Sequence, residues 1–247
     1  MINTKNKQMI LDLFADYKSI SLKFCYFLVI SIFLSCGKDT SKTRPTETSK
    51  STENTSTENP ITSSKTILCF GDSLTAGYGL DDVNEAYPAL LQAKIDSLGL
   101  NYTVINSGLS GETSAGGKSR IDWVLKQPVD IFLLELGAND GLRGVPLSET
   151  RANLQAIIDA VKQKNTETKI ILAGMQLPPN MGPEYTTEFK TIFPELAKKN
   201  KLSLIPFLLK DVGGIAALNQ ADGIHPTTEG QKILADNVWE IMRDVLQ

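Results

Sequence analysis

The 247-residue chain has little of what several function classes require. It holds one histidine, three cysteines and few aromatics, 7% in all. One imidazole and three scattered thiols do not form the clustered ligand set of a protein-built zinc or iron–sulfur site, so no metal or other cofactor is expected. A formal net charge of -3, with a pI near 5.3, leaves no basic field for nucleic acid. The cysteines suggest no disulfide framework, because Cys25 and Cys36 fall in an N-terminal leader and only Cys69 in the part that reads as folded. A Gly-x-Ser-x-Gly elbow is also missing. Phe70-Gly71-Asp72-Ser73-Leu74-Thr75 lacks the second glycine, which argues against the common α/β-hydrolase fold.

The N-terminal quarter does not read as globular. Lys18 and Lys23 precede an apolar stretch of 12 residues, Phe24 to Ser35. A membrane-spanning helix needs about 20 residues, whereas this length suits a signal-peptide core. The stretch ends in Phe33-Leu34-Ser35-Cys36-Gly37, which resembles a lipobox, where the cysteine becomes a lipidated N-terminus. The expectation is a lipoprotein-type signal peptide over residues 1–35, starting at Met1 or Met9, with Cys36 carrying the lipid. An ordinary secretory signal or a hydrophobic anchor is the alternative. Residues 36–64, rich in Ser, Thr, Lys, Glu, Asn and Pro, read as a tether with too little apolar surface to offset chain entropy. The expected location is therefore the cell envelope, with a lipid anchor as the membrane contact.

From residue 65 onward, strand-like and helix-like segments alternate. Strands are expected at Thr66 to Phe70, Tyr102 to Ile105, Val129 to Leu136, Lys169 to Ala173 and Leu202 to Pro206. Helices are expected through Tyr87 to Leu98 with a stop at Gly99, through Leu154 to Val161, from about Thr187 to Lys199, and through Leu234 to Val245. This order predicts a three-layer α/β/α domain over residues 65–247, with a five-stranded, mainly parallel, doubly wound sheet. Sites in such folds lie beyond the C-terminal strand ends. Gly71-Asp72-Ser73, Asn106 to Glu112 and Gly137-Ala138-Asn139-Asp140 follow the first three strands. Asp222-Gly223-Ile224-His225-Pro226 follows the fifth. All four should meet on one rim.

These residue types suit nucleophilic catalysis. A hydroxyl is a weak nucleophile near pH 7 and needs a base, and a carboxylate fixes the tautomer of that base. If the chain is a serine hydrolase, its base can only be His225. Taken singly, each block has a plainer reading: Asp72 and Ser73 as a helix cap, Asn139 and Asp140 as turn residues, His225 as structural. Cys69 reads as a buried core residue rather than a nucleophile. Asp72 reads as a structural hydrogen bonder. Glu135, odd within an apolar run, reads as a partly exposed or hydrogen-bonded strand-end carboxylate without chemistry.

Together the four blocks resemble the SGNH or GDSL hydrolase family, over roughly Thr66 to Gln247. The branch they resemble most is that of bacterial thioesterase/lysophospholipase and arylesterase enzymes. The matching strings are Gly71-Asp72-Ser73-Leu74-Thr75-Ala76-Gly77-Tyr78, Ser110-Gly111-Glu112-Thr113-Ser114, Glu135 to Gly144 and Asp222-Gly223-Ile224-His225-Pro226. The resemblance implies Ser73 as nucleophile, His225 as base and Asp222 as the group orienting it. It also implies oxyanion donors at the Ser73 and Gly111 backbone N–H groups and the Asn139 side-chain amide. Leu142, Val145, Met175 and Leu177 follow the third and fourth strands and are expected to wall an acyl pocket. The implied reaction is hydrolysis of small-molecule acyl esters or thioesters, lysophospholipids included, through an acyl-enzyme, by a monomer. A carbohydrate O-acetyl esterase is the alternative within enzymes, and a non-catalytic surface-binding lipoprotein the alternative outside them.

Overall fold

The computed structural model describes residues 64–246. The expected signal peptide, the lipidated Cys36 and all but the last residue of the tether lie outside the described residues. Among those described, no helix is long and apolar enough to cross a membrane.

Five parallel strands form one sheet in the order β2-β1-β3-β4-β5. They are β1 (Lys65–Gly71), β2 (Tyr102–Gly108), β3 (Ile131–Glu135), β4 (Lys169–Ala173) and β5 (Ser203–Ile205). β1 and β3 lie at the centre. Ile67, Cys69 and Phe70 on β1 and the whole of β3 are buried, as their near-continuous apolar runs require of strands covered on both faces.

Among the described residues seven α-helices complete the layers: α1 (Ser73–Ala76), α2 (Tyr87–Ser97), α3 (Ser114–Val124), α4 (Ala138–Leu142), α5 (Leu147–Lys164), α6 (Pro183–Asn200) and α7 (Thr228–Met242). α2 packs on α7, while α5 packs between α3 and α6. α5 buries Leu147, Leu154, Ile157, Ile158 and Val161, a helical stripe that faces the core. Full burial of each such side chain contributes roughly 1.5–3 kcal/mol before entropy is counted.

Some boundaries depart from expectation. β2 runs through Asn106, Ser107 and Gly108, which were expected to form a loop. They stay in register with Cys69, Phe70 and Gly71 because β1 continues as a partner there. The final helix ends at Met242, so Val245 reaches the core from a turn beyond it. The helix α3 was not anticipated. Its buried face carries Ser114, Gly117 and Ile121, so two of its three core positions are small and the apolar period is hidden. A Cβ at Gly117 would meet Leu136 Cδ1 at 2.4 Å and Phe70 Cε1 at 3.1 Å, so a larger residue there would force the buried Leu136 to shift.

The strand order reverses between β1 and β3. Crevices in open α/β sheets form beyond the strand ends at such a reversal. Ser73 follows β1 and Asn139 follows β3, so the topology places both beside it.

Candidate active site

β1 ends at Gly71 and the chain turns directly into α1. Asp72 caps this short helix, its Oδ1 accepting from the Leu74 N–H at 3.0 Å. Ser73 is thereby set at the helix start, 7% exposed, with its hydroxyl toward the rim.

The loop before α7 brings the histidine to that hydroxyl. Asp222 Oδ1 accepts from the N–H groups of Ile224 (3.0 Å) and His225 (3.1 Å), which bends the chain back over its own carboxylate. Asp222 Oδ2 then lies 2.6 Å from His225 Nδ1, and His225 Nε2 lies 2.9 Å from Ser73 Oγ. A proton on Nδ1 donates to Asp222 and leaves Nε2 free to accept from the serine. The hydrogen bond from His225, then the backbone donor of Ile224, hold the Asp222 carboxyl down at about 2. The loop is fixed from outside as well. The Gln220 N–H donates to the His225 carbonyl (2.7 Å), and Gln220 Nε2 donates to the Tyr78 carbonyl (2.7 Å). The Tyr78 ring lies 4.6 Å from the imidazole, tilted by 47°.

Gly111 and Asn139 line the same cleft as Ser73 and His225. Gly111 has φ 78°, a conformation that favours glycine. Among the described residues its N–H donates to no other group. Its loop is anchored by Arg120, which donates to Glu112 Oε1 (2.6 Å), to Ser107 Oγ (2.9 Å) and to the Ser107 carbonyl (2.8 Å). Asn139 Nδ2 donates one hydrogen to Asp72 Oδ2 at 2.9 Å, which leaves its second hydrogen for a ligand. Arg143 Nη2 donates to the Gly111 carbonyl at 2.9 Å and stands 3.5 Å from Asn139 Oδ1, joining the two loops. Buried Asp140 accepts from the Ser114 N–H (2.8 Å) and hydroxyl, which ties the Asn139 turn to α3.

Three further groups lie beneath the nucleophile. Asp72 accepts from Leu74 and Asn139, while the His225 ring nitrogens bond to Asp222 and Ser73, consistent with a structural reading of Asp72. Cys69 is buried, and desolvation by that burial pushes its thiol up to about 12, so no thiolate forms there. Glu135 corrects expectation in part. It is not partly exposed but fully buried; its Oε2 is hydrogen-bonded, while its Oε1 has no partner.

The cleft has a volume of about 630 Å³. Leu142, Met175 and Leu177 line it as expected of wall residues, and Val145 does not. Gly144, at φ 67°, turns the chain aside, the Val145 N–H returns to the Asp140 carbonyl (3.0 Å), and the Val145 carbonyl accepts from Tyr185 Oη (2.9 Å). Phe207, Leu209 and Ile224 were not anticipated in the wall. Phe207 and Leu209 directly follow β5, so the rule that placed the other wall residues after strands would have found them. Tyr78 and Arg143 stood in the matched strings, but nothing in their spacing marks the contacts they make.

Known proteins resemble this chain in sequence and fold. The family described as GDSL-like Lipase/Acylhydrolase matches residues 69–233. Esterase TesA of Pseudomonas aeruginosa is 40% identical over 183 residues, covering 74% of this chain and 90% of that protein. Thioesterase 1/protease 1/lysophospholipase L1 of Escherichia coli strain K12 is also 40% identical, over 69% of this chain and 80% of its own length. A crystal structure of TesA superposes with a TM-score of 0.70 at 38% identity, covering 74% of this chain and 100% of that one. With two thirds of its length inside the family match, and with the four blocks on one rim of a five-stranded parallel sheet, this chain belongs to the GDSL-like lipase/acylhydrolase family.

Proposed function

We propose that the protein is a serine esterase that cleaves carboxylic esters and thioesters of apolar acyl groups through an acyl-enzyme on Ser73. The observation that carries this reading is the unbroken line from Asp222 through His225 to Ser73, at 2.6 and 2.9 Å. His225 Nε2 takes the hydroxyl proton as Ser73 Oγ attacks the acyl carbon. The oxyanion is met by the Ser73 and Gly111 N–H groups and the free hydrogen of the Asn139 amide. The imidazolium then protonates the departing alcohol or thiol, leaving the acyl group on Ser73. A water molecule, deprotonated by His225, attacks the same carbon. The acid leaves and the serine regains its proton.

Leu142, Met175, Leu177 and Phe207 give the cleft apolar walls that suit an acyl chain. The relatives named for esterase, thioesterase and lysophospholipase activity support the same substrate class. Hydrolysis of p-nitrophenyl esters from acetyl to palmitoyl by the protein tests the reading. Rates should peak at a chain longer than acetyl. A preference confined to acetyl would favour the carbohydrate O-acetyl esterase, and no turnover of any ester would overturn the proposal.

Two predictions follow from the individual parts. Asn139→Ala should cost about 10²–10³ in kcat with little change in KM, because the amide is asked to hold charge that exists only in the transition state. Steady-state kinetics check this. A raised KM at normal kcat would make Asn139 a substrate-binding group instead. The lipobox-like string motivates the second. Cys36→Ser should abolish incorporation of radiolabelled fatty acid into the protein in bacterial cells, and equal label on both proteins would remove the anchor proposal.

A further inference from the structure

Glu135 is the group that the reaction described above leaves unused. It ends the central strand β3, in register with Gly71 where β1 turns toward the nucleophile. Its side chain is fully buried. Glu135 Oε2 accepts from the Asp72 N–H at 3.0 Å and from Thr75 Oγ1 at 2.8 Å. Thr75 Oγ1 is in turn 2.8 Å from Tyr87 Oη, on α2. One oxygen thus grips both the residue before Ser73 and a residue of the helix that Ser73 begins. Asp72, held by its N–H, places its own Oδ2 on the Asn139 amide at 2.9 Å. A chain of contacts runs from Glu135 through Asp72 to Asn139.

We propose that Glu135 is a positioning residue for the reaction: it holds the Asp72 turn from below and, through the Asp72 carboxylate, aims the Asn139 amide at the oxyanion. The proposal rests on the serine-esterase reading.

Glu135 performs this role as an uncharged acid. No cation faces it. The titratable groups around it are the Cys69 thiol from β1, Asp72 from the turn and the Tyr87 phenol from α2. A carboxylate there would hold a full charge in a dry site with Oε1 unpartnered, which is costly. An acid protonated on Oε2 would donate to Thr75 Oγ1, still accept from the Asp72 N–H, and leave at Oε1 only a carbonyl oxygen. Burial, and then the neighbouring Asp72 charge, push the Glu135 carboxyl well above the ordinary range. Burial also raises Asp72, but hydrogen bonds from the Leu74 N–H and the Asn139 amide draw it back. One proton serves two carboxyls, and Glu135 keeps it. Asp72 remains the charged acceptor that Asn139 requires.

The test uses Glu135→Gln, Glu135→Met and Asn139→Ala in the full-length protein. Gln is isosteric and uncharged and should keep kcat within about threefold of the wild type. Met matches the volume but makes no hydrogen bond, and it should lower kcat about 10–100-fold with KM unchanged, the loss expected when an oxyanion donor is misaimed. In the Asn139→Ala background Glu135→Met should cost less than threefold, because the donor it aims is gone. Losses that multiply would mean that Glu135 does not act through Asn139, and would overturn the proposal. If the Met protein does not fold, infrared spectroscopy decides. A protonated carboxyl stretch should be present in the wild type at pH 8 and absent from Glu135→Gln. No such band in the wild type, or a folded Gln protein with kcat down tenfold or more, would overturn the proposal. If the wild type hydrolyses no ester, the esterase reading itself has failed, and the infrared band still reports on Glu135.

Discussion

Replacing Ser73 by alanine is expected to lower kcat by about 10⁴-fold or more while the protein stays folded. The size follows from what the change removes. The hydroxyl 2.9 Å from His225 Nε2 is lost, so no acyl-enzyme can form on it. The size of the residue follows from what stays. The Gly111 N–H and the Asn139 amide are untouched and can still bind an oxyanion. The fold should tolerate the change, because the first turn of α1 is held by the Asp72 cap and not by the serine side chain. The one other contact of that hydroxyl, to Asp72 Oδ1, is 3.5 Å long and contributes little. Thermal denaturation should give nearly the same Tm for both proteins. A fluorophosphonate should label the wild type at Ser73 and leave the alanine protein unlabelled, a result that mass spectrometry reads directly. Cys69 offers no substitute, being buried and protonated. Label on Cys69, with the alanine protein still active, would refute the serine mechanism.

Much of this site was legible because its chemistry is concentrated in short strings at strand ends. The strand β4 was read to the residue, since Ile170, Ile171 and Leu172 form a run that only a covered strand needs. With the alternation of strands and helices established, the topology alone put Ser73, Asn139 and His225 on one rim. What was not legible depends on small residues or on partners distant in sequence. The buried positions of α3 are filled by Ser114 and Gly117, which show no hydrophobic period. Asn106 to Gly108 read as loop because Asn, Ser and Gly are turn residues, yet pairing with β1 keeps them extended. Val145 is apolar and follows a strand, but a backbone bond to Asp140 turns it from the cleft. Glu135 read as a strand-end carboxylate either partly exposed or hydrogen-bonded, and only the second holds. Its burial follows from the 60- and 63-residue separations to Thr75 and Asp72, which no local pattern encodes.

The pH–rate profile should carry the signature of a single imidazole. kcat/KM is expected to fall as pH is lowered through the protonation of His225, because the protonated ring cannot accept the serine hydrogen. The sign is fixed by the base role: active when deprotonated, lost with the added proton. Asp222 does not set this limb. Its carboxyl is held at about 2, first by the hydrogen bond from His225, so it stays ionised at every pH well above that. The two competitors are Asp72 and Glu135, both pushed upward by burial. A kinetic inflection alone could belong to either of them. The composition of the chain resolves this, because it contains one histidine and so gives one imidazole signal in an NMR titration without assignment. The NMR and kinetic midpoints should agree when chemistry limits the rate, and a difference well over one unit would exclude His225 as the base. Substitution tests the same geometry. His225→Ala should remove the inflection along with most of the rate. Asp222→Asn should keep the loop, because its side-chain oxygen can still accept from the Ile224 and His225 N–H groups. It would instead offer a neutral amide to His225 Nδ1 and disturb the tautomer that leaves Nε2 free. The expected loss in kcat is about 10⁴-fold, the cost of that change in a serine triad. Near-normal kcat in a folded Asp222→Asn protein would show that the 2.6 Å contact orients nothing that the reaction needs.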